Sequence, residues 1–169
     1  MTADAPTTRT IPVEWDDPRA VAIRDAFDAE MDERYSGFES SSTEDDGGTD
    51  DVFATNLDDL VVAMLLVNEH DEAVGHASLF RRPEPATLEL RKLAISPAHR
   101  RRGYARTLLR EVEGVAKRLG AERIVLDTGP MQPDAIALYE AMGYRRIPPF
   151  PPYDRLGEDG AICFEVPLR

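Results

Sequence analysis

Three consecutive arginines, Arg100 to Arg102, run directly into Gly103 and the most regular amphipathic stretch of the chain. Like charges in series repel, so something negative should compensate them. If a helix opens here behind a strand, its first N–H groups have no internal partner and point out along its axis. The helix dipole adds roughly half a positive charge at the same end. Gly103 keeps side-chain bulk away from that surface, and Ala105 adds little. Arginines around a bed of amides suit a compact anion such as a pyrophosphate. The plainer alternative is a solvated basic turn, the usual fate of a charge run.

Charge distribution narrows the choice of anion. The chain has 169 residues and a formal net charge of −12. Glu39 to Asp51 carries six acids and no base, whereas Leu90 to Arg110 carries seven bases and no acid. The first segment lacks apolar residues to bury and is expected to be a mobile loop, as are residues 1–9. An acidic chain with one basic island repels nucleic acid overall and favours a small anion over a long polyanion. The single cysteine, Cys163, excludes an internal disulfide, and three scattered histidines make no metal set. The start of the chain lacks a secretory pattern. The longest apolar run, Leu60 to Val67, is eight residues, far short of the ~20 a spanning helix needs. The expectation is a soluble, cytoplasmic chain with no membrane partner.

Hydrophobic periodicity supplies the elements that position these residues. Thr10 to Trp15 reads as a short strand. The segment from Asp16 to Tyr35 begins with acids and Pro18 and places Ile23, Phe27, Met31 and Tyr35 on one helix face. Leu60–Val67 and Ala73–Arg82 flank a polar turn, as in an antiparallel hairpin. Ala86–Ile95 is a further strand. Gly103–Leu119 is a helix with Leu108, Leu109, Val112 and Ala116 on one face, ended by Gly120. A strand over Arg123–Thr128, a short helix over Gln132–Gly143 and a closing strand over Ala161–Leu168 complete a mixed α/β chain, read as a single domain over 1–169.

Nucleotide-triphosphate and dinucleotide glycine signatures are absent. Present instead is Arg-x-x-Gly-x-Ala (Arg100, Gly103, Ala105) behind the strand "LRKLAISP". This resembles the acetyl-CoA signature of the GNAT acyltransferase superfamily. "QPDAIALYEAMGYRRI" resembles a later motif of that family, with Ala135, Tyr139, Gly143 and Tyr144 in register. Gln132 departs from the asparagine common there, and Ala105 from the commoner glycine. The resemblance covers about Leu88 to Ile147.

The resemblance implies a GNAT-type α/β fold: a mixed, mainly antiparallel sheet flanked by helices, with splayed strands forming an acetyl-CoA cleft. It implies that Leu93 and Ile95 contact pantetheine and that a backbone N–H near Ala94 or Ile95 serves the oxyanion. Arg100 opens the motif, and Arg101, Arg102, Gly103, Tyr104, Ala105 and Arg106 line the pyrophosphate; Gln132 is a further cofactor position. Tyr139 occupies the place of the acid that protonates the departing thiolate, with packing as the alternative. Glu89 occupies a strand position where some members carry a base, with a solvent-facing glutamate as the alternative. Phe150 and Tyr153, in the proline-stiffened segment Ile147–Asp154, are candidates for the acceptor wall; such a segment also serves as a rigid connector. Glu30, Arg34 and Tyr35 could form the opposite side, although the stripe of Tyr35 suits core.

The implied activity is transfer of acetyl from acetyl-CoA, a co-substrate, to a primary amine of a small molecule or protein, by direct attack in a ternary complex without metal. A non-catalytic acyl-CoA-binding or regulatory module of the same fold is the alternative. The reading admits a homodimer and leaves the acceptor unnamed.

Overall fold

The structure, a computed structural model, describes residues 7–37, 52–157 and 159–169. The acidic run Glu39–Asp51 and residues 1–6 lie outside the described residues. The first strand, β1, spans Arg9–Val13, so the expected tail gives way to a strand at Arg9 and not Thr10. That strand also stops short of Trp15, which leaves the sheet and takes Arg24 over its ring at 3.7 Å.

Helix α1 runs Pro18–Tyr35, with Asp17 accepting a hydrogen bond from the Arg19 amide at 2.9 Å. Such a cap satisfies one of the donors a helix start leaves unpaired. Strands β2 (Leu60–Val67) and β3 (Ala73–Arg81) form the expected hairpin, and β4 spans Thr87–Ile95. Helix α2 covers Tyr104–Arg118, β5 Arg123–Thr128, α3 Pro133–Ala141 and β7 Ile162–Pro167. A three-residue strand, β6 (Arg145–Ile147), pairs with β7 and was not expected. Three residues are too few to show a periodicity.

The seven strands form one sheet in the order β1-β2-β3-β4-β5-β7-β6. Every neighbouring pair is antiparallel except β4 and β5. Alternation along each strand divides its side chains between two faces. On one face Leu108, Leu109, Val112 and Ala116 of α2 pack against Leu79, Leu90, Ile124, Leu126 and Phe164. Each large apolar side chain buried there contributes roughly 1.5–3 kcal/mol. On the other face Ala20 and Ile23 of α1 cover Leu65, Val67 and Ala94. No helix among the described residues is long and apolar enough to cross a membrane.

Candidate active site

The site begins where β4 and β5 part. These parallel strands pair only over Thr87, Leu88 and Glu89, opposite Arg123, Ile124 and Val125. Beyond Glu89 they diverge, although β4 runs on to Ile95 and β5 to Thr128. The cause lies on the other edge of β4. Between His76/Ala94 and Ser78/Arg91 the β3–β4 register slips by one residue, and Lys92 adopts φ 55°. This β-bulge bends the strand and locally raises its twist.

Two polar side chains of β3 hold the bulge. Ser78 donates to the Arg91 carbonyl at 2.7 Å, and His76 Nδ1 lies 2.8 Å from the Lys92 carbonyl. His76 Nε2 is 3.1 Å from Arg24 Nη1. A guanidinium can only donate, so Nε2 accepts and Nδ1 carries the proton to Lys92. Burial, with a lesser contribution from Arg24, pushes the imidazole down to about 4. His76 is therefore neutral at physiological pH in the tautomer the bulge requires.

The gap opens into a cleft of about 1490 Å³ between α1, the β4–α2 turn and α3. Leu93, Ala94 and Ile95 line it from β4. Arg101 (φ 64°) and Gly103 (φ 79°) turn the chain through left-handed conformations into α2. Glycine adopts that conformation without strain, whereas arginine does so at a cost. The first helical bond runs from the Thr107 N–H to the Gly103 carbonyl at 3.2 Å. The amides of Tyr104, Ala105 and Arg106 therefore precede the helical ladder and are available at the cleft. Tyr104 itself is buried, so its backbone serves this surface while its ring packs.

The arginines separate into different roles. Arg100 is engaged by Glu30 of α1, at 3.0 and 2.5 Å, and its Nε donates to the Ile95 carbonyl. Glu30 also pairs with Arg34 at 2.8 Å. Arg101 and Arg106 line the cleft; Arg102 is exposed and stands outside its lining. A bed of amides outside the helical ladder and a strand edge without a β5 partner fit an extended thiol-bearing nucleotide.

Tyr139 lines the cleft from the α2–α3 face, buried against the rings of Tyr144 and Phe164 at 5.5 and 5.7 Å. Burial, and then the charge of Asp127, raise its phenol well above the ordinary range. Gln132 lines the cleft at the start of α3. Tyr35 reaches the same rim, where the Met131 amide donates to its Oη at 3.1 Å. Gly129 is required for this approach: a Cβ there would lie 1.8 Å from Tyr35 Oη.

Glu89 is buried on the opposite face of the sheet. It accepts from the Tyr153 hydroxyl through Oε1, with Arg91 Nε at 3.9 Å and Arg82 Nη1 3.5 Å from Oε2. Tyr153 lines the cleft, but Phe150 does not; it stacks edge-on behind Tyr153 at 5.3 Å, under the guanidinium of Arg82. The proline-rich segment thus contributes one wall residue and one support.

Asp127, on β5 past the divergence, was missed from the sequence. It lines the cleft, and its Oδ1 is buried with no hydrogen-bond partner. Burial and then the Glu89 charge, opposed by Arg91, push its carboxyl up to about 7. The available signal was an acid inside the apolar run "RIVLDT", because an unpaired buried charge is costly and such groups cluster at functional sites. Among the described residues no group of histidine, cysteine or acidic side chains could hold a metal ion.

Comparisons with known proteins agree with this geometry. A protein from Klebsiella pneumoniae, provisionally described as an acyl-CoA N-acyltransferase, superposes with TM-score 0.76 at 24% identity over 96% of this chain and 99% of its own. A GNAT acetyltransferase from Elizabethkingia anophelis, solved with acetyl-CoA bound, gives 0.66 at 18% identity, covering 98% and 100% of the two chains. Among curated relatives, human N-acetyltransferase 8 is 41% identical over 59 residues, 35% of this chain and 26% of its own length. Rat N-acetyltransferase 8B is 31% identical over 100 residues, 57% of this chain and 45% of its own length. The chain thus spans less than half the length of these relatives. The Acetyltransferase (GNAT) family profile matches residues 22–144, which takes in most of α1, the β4 bulge, the β4–α2 turn and Tyr139. The chain belongs to the GNAT acetyltransferase family.

Proposed function

We propose that this protein is an N-acetyltransferase that moves the acetyl group of acetyl-CoA to a primary amine within a ternary complex. The observation that carries this reading is the open β4–β5 gap, with a phenol on one face and carboxylates on the other. Acetyl-CoA would enter from the α2–α3 side, its pyrophosphate on the amides of Tyr104, Ala105 and Arg106 and its arm along Leu93–Ile95. The amine would enter from the α1 side.

The chemistry balances when two protons leave the nitrogen and one reaches the sulfur, the net proton passing to solvent through the open cleft. The bound ammonium loses one proton and its nitrogen attacks the thioester carbon. The carbon–sulfur bond then breaks, the amide nitrogen loses a second proton, and the thiolate gains one. Tyr139, held protonated by its surroundings, donates to the departing sulfur. Glu89 fixes Tyr153 and contributes negative charge to the acceptor side. A backbone N–H near Ala94 or Ile95 meets the oxyanion.

The experiment is release of free thiol from acetyl-CoA across a panel of primary amines, with CoA binding measured by calorimetry. Amine-dependent release supports transferase activity. Binding of CoA without release from any amine would favour the non-catalytic acyl-CoA-binding module instead. Failure to bind either acetyl-CoA or CoA at near-millimolar protein would remove both.

A further inference from the structure

We infer that the acceptor is a monoamine on an apolar stem, with its ammonium seated on Asp127 and its stem along Phe53, Tyr153 and Leu156. The inference rests on the acetyltransferase reading and adds the substrate class and the residue that receives the amine.

The first ground is a contrast between two neighbouring carboxylates. Glu89 is already engaged by a phenol and flanked by two guanidinium groups. Asp127 presents a buried Oδ1 that lacks a donor. Asp127 as a whole is half-buried and lines the cleft, so an ammonium brought against its carboxylate from that side supplies a hydrogen bond and a compensating charge at once. It also stands where β4 and β5 have separated, in the same cleft as Tyr139, so the nitrogen would face the thioester across the gap.

The second ground is what happens to the other acids of the cleft. Asp28 is paired with Lys92 at 2.5 Å, and Glu30 with Arg34 and Arg100. Asp32 and Asp134 are exposed, where water and salt screen them. Among the described residues, Asp127 is therefore the one deep carboxylate of the cleft with no ion pair, Arg91 acting on it only from a distance, which suits one ammonium and not two.

The third ground is the wall. Phe53 is 47% exposed although it lines the cleft, with its ring 6.2 Å from that of Tyr153. Leu156 lines the same side, and Phe27 and Met31 face from α1. An exposed aromatic side chain at the mouth of a cleft gains by covering an apolar stem. A polar diamine or aminosugar would desolvate against this wall without a partner.

The test measures thiol release from acetyl-CoA with 2-phenylethylamine, hexylamine, 1,4-diaminobutane and glycinamide. The first two are expected to exceed the others at least tenfold in kcat/KM. Phe53→Ala should erase most of that preference by raising KM for the amine, with KM for acetyl-CoA unchanged. Asp127→Asn should lower kcat/KM by 100-fold or more and remove its rise with pH near neutrality, and Asp127→Glu should restore part of it. The groups facing Asp127 that also titrate or carry charge are Glu89, Arg91, Tyr139, Tyr153 and Cys163. For that reason the carboxyl itself is also followed, by carbon-13 NMR of the full chain with CoA. Its titration midpoint should fall on adding 2-phenylethylammonium and much less with 1,4-diaminobutane at equal concentration. Preference for the diamine, or an unmoved midpoint, overturns the inference. Thiol release with an unaffected Asp127→Asn also overturns it while sparing the transferase reading. A shifted midpoint without thiol release from any amine removes the transferase reading and leaves the amine seat standing.

Discussion

Arg100 engages Glu30 through both terminal nitrogens, at 3.0 and 2.5 Å, so the first arginine of the basic run joins the pyrophosphate-type turn to α1. Both partners are partly exposed, and such a pair is worth at most about 1 kcal/mol. If Arg100 acts by holding the turn, Arg100→Ala and Glu30→Ala should each weaken CoA binding about two- to fivefold. The double variant should then be little worse than either single one. If Arg100 instead met phosphate, Glu30→Ala would free it and tighten binding. Calorimetry of the three variants with CoA separates the two outcomes by sign.

Tyr139 offers a prediction about rate. Its phenol is kept protonated by burial and by the Asp127 charge, so its hydroxyl retains the proton across the physiological range. Tyr139→Phe keeps the ring packing against Tyr144 and Phe164 and removes only the hydroxyl. The expected result is a fall of about 10²–10⁴ in kcat, within the usual range for such a group, with CoA affinity unchanged. Equal loss of CoA affinity would instead assign Tyr139 to packing.

The side of this cleft built by the β4–α2 turn and α2 was legible because its parts are local in sequence. Gly103, the arginines before it and the stripe Leu108, Leu109, Val112 and Ala116 lie within one turn and one helix, and the helix forms where its period places it. The opposite side is assembled from distant segments. Glu89 and Tyr153 meet across 64 residues, and Asp127 reaches the cleft only because β4 leaves β5. Periodicity gives the face of a strand but not its departure from a neighbour. The splaying of the strands was expected from resemblance alone, and the bulge behind it, braced by Ser78 and His76, depends on β3–β4 register, which no single strand encodes. Met31 and Tyr35 continue the apolar stripe of α1 yet line the cleft, since α1 outruns the sheet face it covers.

Asp127 predicts an unusual dependence of stability on pH. Its folded value, about 7, lies above the ordinary 3.8. Between those values the native chain holds a proton that the unfolded chain has released, so stability declines as pH rises through that window. A shift of about three units sets a ceiling of ~4 kcal/mol, and water in the open cleft should reduce it to ~1–2 kcal/mol. Asp127→Asn is therefore expected to be more stable than wild type at pH 8 and similar to it near pH 4. Urea midpoints at the two pH values test this. Equal midpoints at pH 8 would mean that the carboxylate is solvated.

His76 predicts the opposite slope. Its folded value of about 4 lies below the ordinary 6.5, so the unfolded chain binds more protons between the two. Stability is then fully present above pH 6.5 and is lost as pH falls towards 4. The structural consequence is specific, because a second ring proton would oppose the Arg24 guanidinium that now donates to Nε2. Loss of the ring contact should release the Lys92 carbonyl and relax the bulge that parts β4 from β5. His76→Asn keeps a donor for that carbonyl while removing the titration. Its unfolding free energy should vary less between pH 4 and 6.5 than that of wild type, by on the order of 2–3 kcal/mol. CoA affinity of the wild type should hold while the native ring is neutral and fall only as pH drops through about 4, whereas that of His76→Asn should show no step there. Parallel pH curves for the two proteins would show that the ring carries neither the stability nor the shape of the bulge.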